Sequence, residues 1–269
     1  MTLPIQDAPE IEEEIEALGP WFHNLHLPCG MQTAPSHPLG DFPAFKWAEI
    51  SPSLPENLSG WTALDIGCNA GFYTFELARR GARVTAIDLD PHYLRQARWA
   101  AQQFGVEGQV EFRRMQVYEL AREPEDLAFD LVLFMGVFYH LRYPVLGLDA
   151  VARRTRRLMV FQTLTMPGEE VESGDGAMTL DDRGAFLRPG WPKMAYMEHG
   201  LCNDPTNRFA ANHAAVEALL RSAGLRVRER PGHEIYVCEP DASLLLQGEM
   251  ARIVDEEYAA ASGAKRPNS

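Results

Sequence analysis

A chain of 269 residues, 46% of them apolar, suffices for one large domain or a domain with an appendage. Its net charge of -13 favours solubility and argues against a broad nucleic-acid footprint, which needs clustered Lys and Arg. Cys29, Cys68, Cys202 and Cys238 form no C-x-x-C pair, no apolar run is long enough to span a bilayer, and the acidic start (Glu10, Glu12, Glu13, Glu14) is neither a signal nor a transit peptide; a reduced, cytoplasmic protein is expected.

Residues 8–18 read as a short acidic helix ended near Gly19-Pro20. Residues 21–27 alternate in part and read as a strand, and 28–43, rich in Pro and Gly, as an ordered loop. Phe45-Lys46-Trp47 then leads through Pro52 and Pro55 into the core. This extension, 1–57, is too apolar for a linker and is expected to pack on a ligand mouth.

The core, 58–165, begins with a buried strand at 63–66, two glycines, and a helix from Phe72 with Phe72, Phe75, Leu77 and Ala78 facing inward. A second strand, 84–87, ends at Asp88. Pro91 starts the next helix, Leu94, Ala97, Ala101 and Phe104 give its buried stripe, and Gly105 ends it. Strands at 110–113 and 129–135, a helix at 143–157 and a strand at 158–164 follow. Regularity fades over 166–211, punctuated by Gly168, Gly174, Gly176, Gly184 and Gly190, and we read this stretch as a substrate lid. The last part of the core, 212–259, holds a helix at 211–223 and a hairpin of 227–230 with 234–238 around Pro231-Gly232; the tail, 260–269, is expected to fray.

The chemistry concentrates in Asp65-Ile-Gly67-Cys68-Asn69-Ala-Gly71 and the acid Asp88. Glycines let the backbone turn tightly and approach a ligand. An acid at a strand's carboxyl end can accept both hydroxyls of a ribose. A dinucleotide loop would read G-x-G-x-x-G; here Asn69 replaces the middle glycine and Thr74 stands where a third is sought. Asp65 would repel a pyrophosphate and help hold an ammonium group.

Asp-x-Gly-x-x-x-Gly with a strand-end acid resembles motif I of class I methyltransferases. Met135-Gly136-Val137-Phe138-Tyr139-His140, preceded by Phe129-Asp130, is similar to the tRNA wobble-uridine carboxymethyltransferase family and its shorter relatives. So are Lys46-Trp47, Trp21-Phe22-His23 and the Gly30–Thr33 segment. The resemblance covers roughly residues 20–165. It implies an α/β, Rossmann-like class I methyltransferase fold: a seven-stranded, mostly parallel sheet with an antiparallel final hairpin and helices on both faces. S-adenosyl-L-methionine is the implied cofactor. Asp65, Gly67, Asn69 and Gly71 would hold its methionine part, Asp88 its ribose, and Gln116 with Val117 its adenine, with Cys68 and Leu89 in the same cofactor-binding set. Lys46, Trp47, Met135 and Gly136 complete the set.

In the tRNA enzyme a lysine, a tyrosine and a late arginine hold the extra carboxylate of carboxy-S-adenosylmethionine. Lys46 and Tyr139 match the first two, but Tyr236-Val-Cys-Glu239-Pro ends in an acid where a cation is wanted. The expected reaction is therefore O-methylation of a small polar or sugar-containing acceptor, with His140 as base and Tyr139 bounding the methyl site. tRNA wobble-uridine modification and a non-catalytic cofactor-binding regulatory module stay open as alternatives. His23-x-x-His26-x-x-Cys29 falls short of a metal site, so no metal is expected; His23 and His26 would line the acceptor pocket. Glu198, His199 and Asn203 would touch substrate from the lid. Oligomeric state has no signal here.

Overall fold

The computed structural model describes residues 8–172 and 178–264. Gly174, Gly176 and the last five residues of the expected tail lie outside them. The chain divides into two compact units, Met1–Gln116 and Val117–Ser269.

The first unit holds α1 (Ala8–Ala17), α2 (Phe42–Ile50), β1 (Thr62–Ile66), α3 (Phe72–Arg79), β2 (Arg83–Asp88), α4 (Pro91–Phe104) and β3 (Val110–Arg114). The second holds β4 (Phe129–Met135), α5 (Pro144–Ala152), β5 (Thr155–Gln162), β6 (Met194–Tyr196), β7 (Phe209–Ala211), α6 (His213–Ser222), β8 (Leu225–Gly232), β9 (Ile235–Pro240) and α7 (Gly248–Ser262). Seven strands are ordered β3-β2-β1-β4-β5-β9-β8, and β6 with β7 forms a separate pair. β1 runs parallel to β2, β2 to β3 and β4 to β5, while β9 is antiparallel to both β5 and β8. The mostly parallel sheet with its antiparallel end matches the expected fold class.

Every residue of β4 is buried, which is why Phe129 to Met135 carries no polar alternation. Phe75 and Leu77 of α3 and Leu94 and Ala97 of α4 are at most 1% exposed, as their spacing predicts. Asp90 caps α4 by accepting the His92 N–H at 2.8 Å, and Gly105 ends it at φ 65°.

Four local readings need correction. Residues 21–27 form no strand; a single bridge joins His26 to Gln32, and the alternation reflects a loop that buries Leu25 and Leu27. The lead-in 42–50 is the helix α2, with Pro43 in its first turn, a start signal hidden by the Pro-rich flanks. α5 stops at Ala152, not at 157, because Thr155 opens β5 opposite Phe129. Arg156 and Arg157, which read as helix end, belong to that strand start and pair with Asp130 at 3.4 and 3.1 Å. Finally, α7 runs on to Ser262 and is capped by Gly263 at φ 71°; its Ala-rich end is good helix former, not frayed tail.

The described part of the stretch 166–211 is less structureless than its glycines suggest. It holds β6, β7 and a 3-10 run at Leu180–Leu187. Asn212 anchors it: its amide donates to Pro189 and Trp191 carbonyls at 3.2 and 2.7 Å, and its oxygen accepts from Lys193 and Ala215 N–H at 2.9 and 3.0 Å. One side chain thus caps α6 and ties the insertion to it.

Candidate functional site

In the first unit, the loop after β1 is shaped by three left-handed residues: Gly67 (φ 70°), Asn69 (φ 50°) and Gly71 (φ 94°). Asn is the non-glycine residue most tolerant of that region, and Asn69 supports its own turn by accepting the Ala70 N–H at 2.7 Å. The N–H groups of Gly67 and Cys68 both donate to Ile87 O, at 2.8 and 3.1 Å, so the loop is stitched to the end of β2. There Asp88 accepts the Asn69 N–H on one oxygen at 2.9 Å and the Asp90 N–H on the other at 2.8 Å. Each oxygen keeps further acceptor capacity.

Gly71 has no room for a side chain. A Cβ there would meet Phe75 Cζ at 2.6 Å, and Phe75, 1% exposed, has nowhere to move. Left-handed strain plus overpacking predicts that Gly71→Ala destabilises the fold by about 3 kcal/mol, read by urea denaturation. Wild-type stability would remove this account of the loop.

Asp65 is buried at the end of β1 and accepts the Thr74 hydroxyl at 2.5 Å. Burial pushes its carboxyl up to about 7; the Thr74 bond opposes this and Asp88 adds to it. Burial likewise raises Asp88 against its backbone hydrogen bonds. Among the described residues neither carboxylate has a basic ion-pair partner. A buried carboxylate without a counter-charge is costly, so the loop suits a cationic ligand and is hostile to a phosphate. The methionine ammonium of S-adenosylmethionine fits that requirement.

The other expected cofactor residues of this unit differ in what they offer. Cys68 packs against Ala86 and Leu94, and burial pushes its thiol well above the ordinary value, so it contributes backbone and bulk, not a thiolate. Leu89 is half exposed, and its carbonyl accepts from Arg114 Nε at 3.1 Å. Gln116 is half-buried at the end of the unit. Trp47 lies under Arg80, whose guanidinium carbon is 4.8 Å from the ring centroid, while Arg80 also donates to Ser51 and Pro55 carbonyls. Trp47 thereby braces α2 against the end of α3. Lys46, on the same helix, is half-buried.

His23 and His26 part company. His23 is buried, with ring contacts to Phe42 and Tyr73 at 5.7 and 5.8 Å. Burial, then His37 and Lys46, lower its pKa to about 3, so it is a neutral ring. Its Nδ1 has no hydrogen-bond partner among the described residues. His26 is half exposed and bonded through Nε2 to Asp41 at 2.5 Å. The two imidazoles face different surroundings, and the bond to Asp41 holds His26 at the surface.

In the second unit, β4 ends at buried Met135, and half-buried Gly136 (φ 69°) follows it. A Cβ on Gly136 would come within 3.8 Å of Gln162 Oε1 and 3.9 Å of the Tyr139 hydroxyl. That Gln162 oxygen is buried and without a partner among the described residues, while its amide donates to Glu234 at 3.0 Å. Val117 is buried at the start of this unit. Tyr139 and His140 share one short 3-10 turn, Phe138–His140, with ring centroids 4.2 Å apart. Burial, with Glu234 and Asp204 adding to it, pushes Tyr139 up to about 12, so its hydroxyl is a donor and not a base. Burial lowers His140, against Asp204 and Thr206, which leaves a neutral imidazole at pH 7.

The neighbours of this turn were not legible in the sequence. His140 Nδ1 is 2.9 Å from Thr206 Oγ1, which donates to Asp204 at 2.5 Å. The Arg208 N–H donates to Tyr139 O at 2.9 Å, and Arg142 donates to the Tyr196 hydroxyl at 2.9 Å. The insertion is therefore pinned to the Tyr139-His140 turn. Asp204-Pro-Thr206 carries an Asx-turn signal, but its partner is 66 residues away. Glu198 and His199, paired loosely at 3.9 Å, are 79% and 90% exposed in their side chains, and Asn203 is exposed in a left-handed turn; none is bonded to Tyr139 or His140. Elsewhere in the unit Glu169, His213 and His233 converge, but Arg230 already donates to Glu169 at 2.8 Å and supplies the positive charge there.

The sheet order, the left-handed loop and the strand-end acid are those of the Rossmann-like class I methyltransferase fold. Residues 63–159 match the methyltransferase domain family. The chain resembles the tRNA U34 carboxymethyltransferases: that of Cellvibrio japonicus is 31% identical over 192 residues, covering 68% of this chain and 54% of that protein. The ubiquinone biosynthesis O-methyltransferase of Xylella fastidiosa is 36% identical over 118 residues, 44% of this chain and 46% of that one. The chain thus spans about half the length of the curated relatives it matches. The crystal structure of the N-terminal domain of EvdMO1 with SAH bound shares the fold, with a TM-score of 0.57 at 24% identity over 89% of this chain and 98% of that one. No helix among the described residues is long and apolar enough to cross a membrane.

Proposed function

We propose that the chain transfers a methyl group from S-adenosylmethionine to a hydroxyl oxygen of a small polar or sugar-containing acceptor. Asp65 with the Gly67–Gly71 loop takes the methionine part, Asp88 the ribose, and Gln116 with Val117 the adenine. His140 is the base, and Tyr139 orients the acceptor. The observation that carries this reading is the polarity around Tyr139: a protonated hydroxyl, an orphaned buried Gln162 oxygen and a neutral imidazole suit a hydroxylated ligand. Residues 166–211 serve as the acceptor-side cover. Four free cysteines suit a cytoplasmic setting.

The same surroundings argue for the plain cofactor. Glu234 and Asp204 bear on Tyr139, so a further carboxylate beside that hydroxyl would meet two negative charges. Lys46 and Tyr139 match the carboxylate-binding pair of the tRNA enzymes, and wobble-uridine modification remains the second reading on that account. Mass spectrometry of ligand carried through purification separates them. S-adenosylmethionine or its homocysteine product is expected. Carboxylated cofactor would favour the tRNA reading, and NAD would overturn both.

A further inference from the structure

Thr206 Oγ1 lies 2.9 Å from His140 Nδ1 and 2.5 Å from Asp204 Oδ1. A hydroxyl has one proton and two lone pairs, so it can donate to only one of them. Asp204 Oδ1 also accepts the Thr206 N–H at 2.7 Å. Burial pushes the Asp204 carboxyl up, but the Thr206 hydroxyl and N–H, with His140, outweigh this and hold it below its ordinary value. An ionised carboxylate only accepts, so the Thr206 proton goes to Asp204. The Thr206 oxygen must then accept from His140.

We infer that Thr206 and Asp204 are positioning residues that hold His140 as its Nδ1–H tautomer and leave Nε2 as the basic nitrogen. The use of that nitrogen rests on the methyl-transfer reading; the tautomer does not. In the transfer step a lone pair of the acceptor oxygen forms a bond to the sulfonium methyl carbon. The carbon–sulfur bond breaks and its electron pair stays on sulfur, giving neutral S-adenosylhomocysteine. The acceptor's O–H proton moves to His140 Nε2. The imidazolium so formed is stabilised by ionised Asp204 through the Thr206 hydroxyl, an arrangement that raises ligand basicity much as a carboxylate does behind a metal-bound histidine. Among the described residues, the groups bonded to, stacked on or acting electrostatically on His140 are this relay and the Tyr139 ring, and the Arg208 N–H fixes the Tyr139 carbonyl beside it.

The test is long-range proton–nitrogen correlation NMR on the full chain labelled with nitrogen-15, with His140 assigned by comparison to His140→Gln. Wild-type protein is expected to show Nδ1 protonated and Nε2 bare. Thr206→Val and Asp204→Ala should each move His140 toward the Nε2–H form, and Asp204→Ala should shift its titration to lower pH. Thr206→Ser should keep the wild-type pattern. An Nε2–H form in wild type, or an Nδ1–H form that persists in both Thr206→Val and Asp204→Ala, overturns the proposal; the wild-type spectrum decides even if a variant does not fold. Calorimetry with S-adenosylhomocysteine separates the two readings. If no form of the protein binds it, methyl transfer fails while the tautomer result stands. With an acceptor in hand, Thr206→Val should lower kcat about tenfold to a hundredfold with little change in KM for the cofactor; an unchanged kcat also overturns the role.

Discussion

Replacing Asp88 with alanine is expected to weaken S-adenosylhomocysteine binding by about 100- to 1,000-fold in isothermal titration calorimetry. Both Asp88 oxygens already accept a backbone N–H from the loop or the strand end, which fixes their direction. Each retains a lone pair for one hydroxyl of a ribose. A hydrogen bond to a charged group contributes roughly 1.5–3 kcal/mol, so losing two costs about 3–6 kcal/mol, and the lower part of that span, about 3–4 kcal/mol for a partly exposed strand end, sets the range. Asp88→Asn keeps one acceptor oxygen and should fall between. Circular dichroism controls for the loop, because alanine also frees the Asn69 N–H. A folded Asp88→Ala protein that binds as tightly as wild type would take the ribose away from this strand end.

Asp65→Asn is expected to act in opposite directions on stability and on binding. The Asp65 carboxyl titrates near 7 in the folded chain against an ordinary 3.8. Below about pH 3 it is protonated in both states and costs nothing. As pH rises, the unfolded chain ionises it first, so stability is lost from about pH 4 up to pH 7 and the loss is complete above that. Three units correspond to about 4 kcal/mol at most. Asparagine removes that cost and can still accept the Thr74 hydroxyl, so melting at pH 8 should rise by roughly 10 °C, with little change at pH 4. Binding should suffer, since the ammonium loses its counter-charge. In wild type, cofactor affinity should drop about tenfold per pH unit below 7, with close to one proton released on binding. Equal melting shifts at pH 4 and pH 8 would show that Asp65 is not the group responsible.

The Asp65–Gly71 loop with Asp88 was legible because its parts are close in sequence. Asp65, Asn69, Gly71 and Asp88 fall within 24 residues, and backbone strain forces their types: only small or amide side chains tolerate a left-handed turn. The same locality makes β1, α3 and β2 readable. α2 was missed because proline flanks hide nine residues with little amphipathic pattern. The over-long α5 had a different cause: Arg156 and Arg157 continue a helical composition, while strand pairing to Phe129 decides their conformation.

The order of apolar runs, the glycine turns and the strand-end acid therefore determined, from the chain alone, an α/β sheet with an acidic, glycine-turned loop after its first strand. Tertiary structure decided what lies around Tyr139 and His140. Thr206, Asp204, Gln162 and Glu234 come from segments tens of residues apart, and no periodicity links them. Hydrogen-bond partners of this kind are set by how buried polar groups satisfy one another after the core has formed. For the same reason the sequence held no hint of the raised Asp65 carboxyl: its hold on a proton is a consequence of burial, which only the folded chain supplies.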